Sequence, residues 1–172
     1  MILVALGANL PGRNNATPLE TCRWGLKQLA ALPGLRMDAI SQWYVTKPVP
    51  PSGQPLYVNA VARLSVEPDA ACMDPAILLV ALQTIEQQAG RGRGERNAPR
   101  TLDLDIIAMG KGGQMVRLAP DPVLPHPRAH LRAFVLVPLL DVAADWVHPV
   151  EGVKADQLLR RLPDQGVRVL RD

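Results

Sequence analysis

The chain is poor in aromatic residues and in cysteine. Phenylalanine, tryptophan and tyrosine make up only 3% of its 172 residues, which argues against a sheet of rings that stacks on single-stranded nucleic acid. Its two cysteines, Cys22 and Cys72, have no metal-ligand spacing and no secretory context, so we expect reduced thiols in a cytoplasmic protein. No apolar stretch approaches the ~20 residues that cross a bilayer, so no membrane span is expected.

The rest of the composition is typical of a globular domain. Hydrophobic residues make up 48% of the sequence and charged residues 20%, so we expect one domain that covers residues 1–172. The formal net charge is only +3, yet 15 of the 19 basic residues are arginine, and many lie between residues 91 and 132. Because guanidinium groups suit phosphate oxygens, this clustering favours a small anionic ligand over a nucleic-acid footprint.

Local sequence signals divide the chain into strands and helices. Strands are predicted at residues 2–6, 35–45 and 57–66 and around Asp103. Helices are predicted from the capping box at Thr17–Glu20 to about Leu32, and from Asp74–Pro75 to about Ala89. This β-α-β-β-α-β order is typical of a ferredoxin-like α+β fold, with a largely antiparallel sheet and helices packed on one face. The other face of the sheet is then expected to be free for a ligand.

The C-terminal third of the chain adds smaller elements to this core. We predict a hairpin near residues 110–113, a short apolar run at 134–140 and a helix near 156–162. No internal repeat accompanies them, so they are expected to be additions to the core rather than a second copy of it.

The stretch Arg100–Ile107 places two carboxylates on an otherwise apolar strand. Side chains alternate across a strand, so Asp103 and Asp105 share one face. Neighbouring carboxylates repel each other, and a divalent cation between them offsets that repulsion. Just upstream, the glycine-rich segment 90–100 carries four arginines suited to phosphate oxygens. Either motif alone is often a surface feature, but together they predict phosphoryl-type transfer from a nucleotide.

Other polar residues give weaker signals. Tyr57 and Asn59 lie two residues apart on one strand, where they either bind a flat heterocycle or are ordinary surface groups. Gln83 and Glu86 share one helix face, which is equally consistent with a solvated surface. His126 lies between prolines and is followed by arginines, so a phosphate contact competes with a purely structural role.

The segment Pro99–Ile107 resembles the signature of the hydroxymethyl-dihydropterin pyrophosphokinases of the folate pathway. Further similar segments follow the family order: Leu6–Leu10, Tyr44–Pro48, Tyr57–Ala60, Ile85–Glu86 with Gly90–Arg93, and Leu124–Phe134. The resemblance covers most of the chain. It implies transfer of pyrophosphate from ATP to the hydroxymethyl group of the dihydropterin with release of AMP, by a monomer that binds neither nucleic acid nor membrane.

The resemblance also implies roles for individual residues. Asp103 and Asp105 would hold two Mg²⁺ ions and, with Arg91 and Arg100, form the catalytic set. Residues on the ATP side would be Gln83, Glu86, Arg93, His126 and Arg132. Residues on the pterin side would be Thr46, Val49, Tyr57, Asn59 and Phe134.

One departure from the family pattern lies in the segment 90–98. Asn97 occupies a position where the family commonly has tryptophan, and the segment is about one residue shorter. We expect this segment to close over bound ATP, less favourably than in members that have the tryptophan. Two alternatives to the enzyme remain at this point: an RNA-binding module and a catalytically silent homologue that binds pterin or nucleotide.

Overall fold

The structure is a computed structural model, and it describes residues 1–70, 72–90 and 99–171. Its strands are β1 (Ile2–Ala8), β2 (Leu35–Ile40), β3 (Tyr44–Thr46), β4 (Tyr57–Val66), β5 (Asp103–Ala108), β6 (Val147–His148), β7 (Val153–Lys154) and β8 (Arg168–Val169). Its α-helices are α1 (Pro18–Ala30), α2 (Pro75–Gln88), α3 (Ala133–Val142) and α4 (Ala155–Arg160). Short 3₁₀ turns occur at Arg13–Asn15, Lys111–Gly113 and Ala129–Leu131.

Both predicted helix starts are confirmed. The Thr17 hydroxyl accepts a hydrogen bond from the Glu20 amide, and the Glu20 carboxylate accepts one from the Thr17 amide. At α2, the Asp74 carboxylate accepts hydrogen bonds from the first free amides of the helix. Because these side chains satisfy amides that have no partner inside a helix, they fix where each helix begins.

The principal sheet has six strands in antiparallel pairs. Its order is β5-β1-β4-β3-β8, and β2 also pairs with β4. Strand β4 therefore lies beside β1 along one edge and beside β2 and β3, end to end, along the other. The predicted α+β architecture is confirmed.

Helices cover both faces of this sheet. On one face α1 and α2 pack over side chains such as Val4, Leu64 and Leu104. On the other face α3 and α4 pack over Leu3, Val61 and Ile107. The expectation of a wholly free second face is therefore wrong, because the C-terminal additions bury most of it. Among the described residues, the end of that face near Gly7 remains open.

Several local predictions also need correction. The strand predicted over residues 35–45 is broken at Ser41, whose hydroxyl accepts a hydrogen bond from the Val61 amide in place of a regular ladder bond. The segment 110–113 forms a 3₁₀ turn instead of a hairpin. The apolar run at 134–140, for which no element type was predicted, lies within a helix, α3, although Pro138 removes one of its backbone donors. Within the described residues, no helix is long and apolar enough to cross a membrane.

Candidate active site

A pocket of about 300 Å³ opens at the uncovered end of the second sheet face. Its floor is built from small residues of β1, because Gly7 pairs with Asp103 on one side and with Asn59 on the other. A methyl group at Gly7 would lie 3.1 Å from the Asn59 Oδ1. Because Gly7 has no side chain, a flat ligand has room above β1, between the carboxylates of β5 and the amide of Asn59 on β4.

The two carboxylates of β5 point into this pocket, as the alternation predicted. Leu104 and Ile106 point to the opposite face and belong to the main core. Asp103 forms an ion pair with Arg100. Asp105 has one oxygen 3.8 Å from the Arg132 guanidinium and 3.7 Å from the His126 Nε2. Nearby cationic groups therefore offset the repulsion that was expected between the two acids.

The backbone of Arg100 is held by Asn9, a residue that is 2% exposed. The Asn9 side-chain oxygen accepts from the Arg100 amide at 2.8 Å, and the Arg100 carbonyl accepts from the amides of Asn9 and Leu10. Burial opposes the charge on Arg100, but Asp103, Asp105 and Glu86 together outweigh that effect and raise the pKa of the guanidinium. Arg100 is thus a fixed, permanent cation at the rim of β5.

The other cations follow the Leu124–His126 segment. The His126 amide donates to the Ile107 carbonyl at 2.9 Å, which anchors the ring beside the end of β5. The His126 Nδ1 accepts from the Arg128 amide at 3.1 Å, so the proton of the neutral ring is on Nε2, towards Asp105. Burial and then the charges of Arg132 and Arg128 lower the pKa of His126 to about 4. The ring is therefore a neutral donor at pH 7.

The opposite wall carries the residues expected to bind a heterocycle. The Asn59 amide donates to the Thr46 hydroxyl at 2.8 Å, and both side chains are buried. The Tyr57 hydroxyl donates to the Gln54 Oε1 at 3.3 Å. Burial and then the charge of Asp103 raise the pKa of the Tyr57 hydroxyl, and both residues line the same pocket. This wall is polar at its base and aromatic above it.

Most of the predicted site residues line this one pocket. They are Thr46, Val49, Tyr57, Asn59, Arg100, Asp103, Asp105, His126, Arg132 and Phe134. The Arg132 guanidinium lies 5.4 Å from the centre of the Phe134 ring, so the cationic and aromatic parts of the site meet there.

Four predicted residues are not placed in the pocket. Gln83 is exposed on α2. Glu86 is 4% exposed, and its Oε1 accepts from the Leu104 amide at 2.7 Å, which ties α2 to β5 beneath the two aspartates. Arg91 and Arg93 lie outside the described residues, as does Asn97, so the predicted closure of the segment 90–98 over ATP stays a prediction.

Sequence analysis also missed residues that line the pocket. Gly7 was part of the Leu6–Leu10 resemblance but had no role of its own, Arg128 was considered only as a neighbour of His126, and Lys47 had no role, yet all three line the site. The signal for Gly7 was a small residue within an apolar strand, a pattern that marks close approach of a ligand or another backbone. The signal for Arg128 was its position two residues after His126.

The carboxylate pair suits a hard divalent cation that arrives with a phosphate ligand. Carboxylate oxygens are preferred by Mg²⁺, which commonly takes one or two protein carboxylates and completes its shell with water and phosphate oxygens. Within the described residues, no group of three or more histidine, cysteine, aspartate or glutamate side chains forms a metal cage. Two carboxylates on one strand face therefore fit a metal that completes its shell with water and phosphate oxygens.

Comparison with known proteins agrees with this geometry. The family described as 7,8-dihydro-6-hydroxymethylpterin-pyrophosphokinase, HPPK, matches residues 3–144. The chain belongs to this family. The family membership predicted from the sequence motifs is thereby confirmed.

Two bacterial members of the HPPK family are similar over most of their length. The 2-amino-4-hydroxy-6-hydroxymethyldihydropteridine pyrophosphokinase of Pseudomonas aeruginosa is 40% identical over 169 residues, covering 98% of this chain and 96% of that protein. The enzyme of the same name from Haemophilus influenzae is 41% identical over 147 residues, covering 85% of this chain and 83% of that protein.

A solved HPPK structure supports the fold. The wild-type HPPK-DHPS of Plasmodium falciparum superposes with a TM-score of 0.64 at 12% identity, over 93% of this chain. This chain spans 44% of that longer protein. At this low identity the similarity concerns the fold alone.

Proposed function

We propose that this protein transfers pyrophosphate from ATP to the hydroxymethyl group of 6-hydroxymethyl-7,8-dihydropterin and releases AMP, a step in tetrahydrofolate synthesis. It is thus a diphosphotransferase, the enzyme class named in its curated relatives. The observation that carries the proposal is a single pocket in which a carboxylate pair and several arginines face an amide and an aromatic ring.

Asp103 and Asp105 would hold the divalent metal, Mg²⁺ by the chemistry of their oxygens. When bound with ATP, Mg²⁺ neutralises phosphate charge and lowers the energy of the charge that develops during transfer. The occupancy of two ions remains part of the proposal. Both aspartates must be free to accept the metal, so Arg100 and Arg132 are expected to exchange their carboxylate contacts for phosphate oxygens when ATP binds.

The cationic residues orient the polyphosphate for in-line attack. Arg100 and Arg132 supply guanidinium forks that match phosphate oxygens and stay charged at any physiological pH. The neutral His126 ring donates through Nε2, which suits a phosphate oxygen without the cost of burying another charge. Arg91 and Arg93 are proposed to act with them. In the proposed reaction the hydroxymethyl oxygen of the pterin forms a bond to the β-phosphorus. The bond between the β-phosphorus and the α,β-bridging oxygen breaks, AMP leaves with that oxygen, and the hydroxyl proton is released to solvent.

The opposite wall would hold the pterin. The Asn59 amide, held by the Thr46 hydroxyl, presents its remaining hydrogen-bonding groups to the heterocycle edge. Tyr57 and Phe134 offer aromatic rings for its faces, and Val49 contributes an apolar contact at the entrance. Asn59 and Asp103 lie on either side of Gly7. A pterin bound at Asn59 would therefore direct its hydroxymethyl group towards the phosphates held near Asp103.

The roles of the two remaining ATP-side residues are less direct. Gln83 on the exposed face of α2 remains a predicted nucleotide contact. Glu86 is proposed to act through β5, because its contact with the Leu104 amide fixes the strand between the two aspartates. Its predicted direct contact with ATP is retained as part of the proposal.

The proposal is tested by incubating the purified protein with ATP, Mg²⁺ and 6-hydroxymethyl-7,8-dihydropterin and measuring AMP. Asp103→Asn and Asp105→Asn should each lower turnover at least about a hundredfold, since each removes a metal ligand. Asp69→Asn makes the same charge change on an exposed residue outside the pocket and should be neutral. Full activity of both pocket variants would refute the metal assignment.

Absence of AMP with the unaltered protein would refute the proposed pyrophosphokinase activity. The RNA-binding and catalytically silent alternatives gain no support from a concave pocket that contains paired acids. A single domain, a monomeric state and a cytoplasmic location stay predictions. The last two are checked by light scattering and by fractionation.

A further inference from the structure

Arg128 lines the same pocket, but the roles assigned so far do not include it. Arg100 and Arg132 each face a carboxylate. In contrast, the Arg128 guanidinium makes no ion pair and no hydrogen bond with any side chain or carbonyl in the described ranges 1–70, 72–90 and 99–171. It is half-buried, so it is a cation that has neither a partner among these described residues nor full hydration.

The position of Arg128 is fixed by its backbone. Its amide donates to the His126 Nδ1, and the next residue begins the 3₁₀ turn that leads into α3. The side chain therefore starts from an anchored backbone beside His126, at the wall of the pocket. Its charge acts on its neighbours, since Arg128 contributes, after burial, to the lowered pKa of Arg132.

The pocket consequently has more positive than negative charge. Among the residues that the structure describes, its lining contains four cations, Lys47, Arg100, Arg128 and Arg132, against the two carboxylates Asp103 and Asp105. A surplus of two positive charges in a concave site attracts an anion and repels cations other than those that the carboxylates hold. A neutral heterocycle on the opposite wall gains nothing from this surplus, whereas a polyphosphate does.

We propose that Arg128 is a polyphosphate-binding residue, whose guanidinium donates hydrogen bonds to non-bridging oxygens of the same phosphate chain that Arg132 contacts. The ligand class is a nucleoside triphosphate with its metal. In naming ATP, this inference rests on the proposed function. An arginine suits this role because its rigid fork can contact two oxygens at once, which the lysine ammonium cannot do in the same geometry.

The test compares Arg128→Gln and Arg128→Lys with Arg36→Gln. Each variant leaves the backbone amide in place, so the hydrogen bond to His126 persists. Arg36 is a matched control, since it is an exposed arginine on β2 outside the pocket. The probe is α,β-methylene-ATP with Mg²⁺, titrated by calorimetry, and circular dichroism melting verifies that each variant is folded.

Loss of a hydrogen bond to a charged group predicts that Arg128→Gln weakens binding of the analogue about tenfold or more. Arg128→Lys should bind with intermediate affinity, and Arg36→Gln should bind within about twofold of the unaltered protein. The dihydropterin, titrated separately, should bind all variants within about twofold. The melting midpoint of Arg128→Gln should be unchanged or higher, because a repulsion with Arg132 is removed.

Unchanged analogue affinity in Arg128→Gln would overturn the inference. So would an equal loss for the analogue and the dihydropterin, which would indicate a general disturbance of the pocket. The proposed reaction is judged separately by AMP formation in the unaltered protein. A protein that binds the analogue through Arg128 but forms no AMP would contradict the reaction and support the role of Arg128.

Discussion

Glu86 provides the most informative single substitution for the architecture beneath the site. The residue is 4% exposed, and its Oε1 accepts from the Leu104 amide at 2.7 Å. Leu104 lies between Asp103 and Asp105 on β5, which is an edge strand of the sheet. The glutamate therefore takes the place of a neighbouring strand as hydrogen-bond acceptor and sets the position of both carboxylates.

Replacing Glu86 with alanine leaves the Leu104 amide buried without this acceptor. A hydrogen bond to a charged group contributes about 1.5–3 kcal/mol, and leaving the donor unsatisfied costs a similar amount. For a domain of this size, each kcal/mol shifts the melting midpoint by roughly 2–4 °C. We therefore expect Glu86→Ala to lower the midpoint by about 3–12 °C. Glu86→Gln keeps an oxygen acceptor and should cost less.

The assay is urea and thermal unfolding without Mg²⁺ or nucleotide. Gln83→Ala on the same helix is the matched control, because Gln83 is exposed, and it should change the free energy of unfolding by less than about 0.5 kcal/mol. AMP formation by Glu86→Ala should also fall. If Glu86→Ala unfolds at the same urea concentration as the unaltered protein, the assignment of a structural tie is wrong.

Three further substitutions test other parts of the structure. Gly7→Ala places a methyl 3.1 Å from the Asn59 Oδ1 in the pocket floor, so dihydropterin affinity measured by calorimetry should fall about tenfold; an equal loss of ATP affinity would contradict this. Tyr44→Phe removes the 2.8 Å hydrogen bond from the Tyr44 hydroxyl to the Asp141 carboxylate on α3 and should cost about 1–2 kcal/mol in urea unfolding; no change would show that this contact does not stabilise the fold. Burial and two neighbouring arginines lower the pKa of His126 to about 4. In the unfolded chain the imidazole is therefore protonated below about pH 6.5, whereas in the folded chain it is protonated only below about pH 4. Metal-free stability should therefore fall as the pH drops through this window, by up to about 3 kcal/mol from this residue, and His126→Gln should lose less; parallel pH profiles would disprove the pKa shift.

Local sequence signals, each spanning only a few residues, were enough to predict much of the fold. The boundaries of β4 and the starts of α1 and α2 follow from alternation and from caps at Thr17 and Asp74. The break at Ser41 was not predictable, because it depends on which part of β4 each half of the segment pairs with. The covering of the second sheet face also depends on long-range packing of α3, which no local pattern indicates.

In the candidate site, too, some residues were predictable from local sequence patterns and others depended on long-range packing. Asp103 and Asp105 are predictable as pocket residues because alternation on β5 determines their face. Glu86 was grouped with Gln83 by helix spacing, yet one is buried against β5 and the other is exposed. Spacing gives the angle of a side chain around a helix, but only the packing partner determines whether a polar group is solvated or buried.

The central claim, that the β- and γ-phosphates move together onto the pterin, has one direct test. The protein is incubated with Mg²⁺, the dihydropterin and ATP labelled at the β-phosphorus, and the products are separated by chromatography. The account predicts label in a pterin diphosphate, unlabelled AMP, and loss of both products in Asp105→Asn. Label retained in ADP, or AMP formed at the same rate without the dihydropterin, would contradict it.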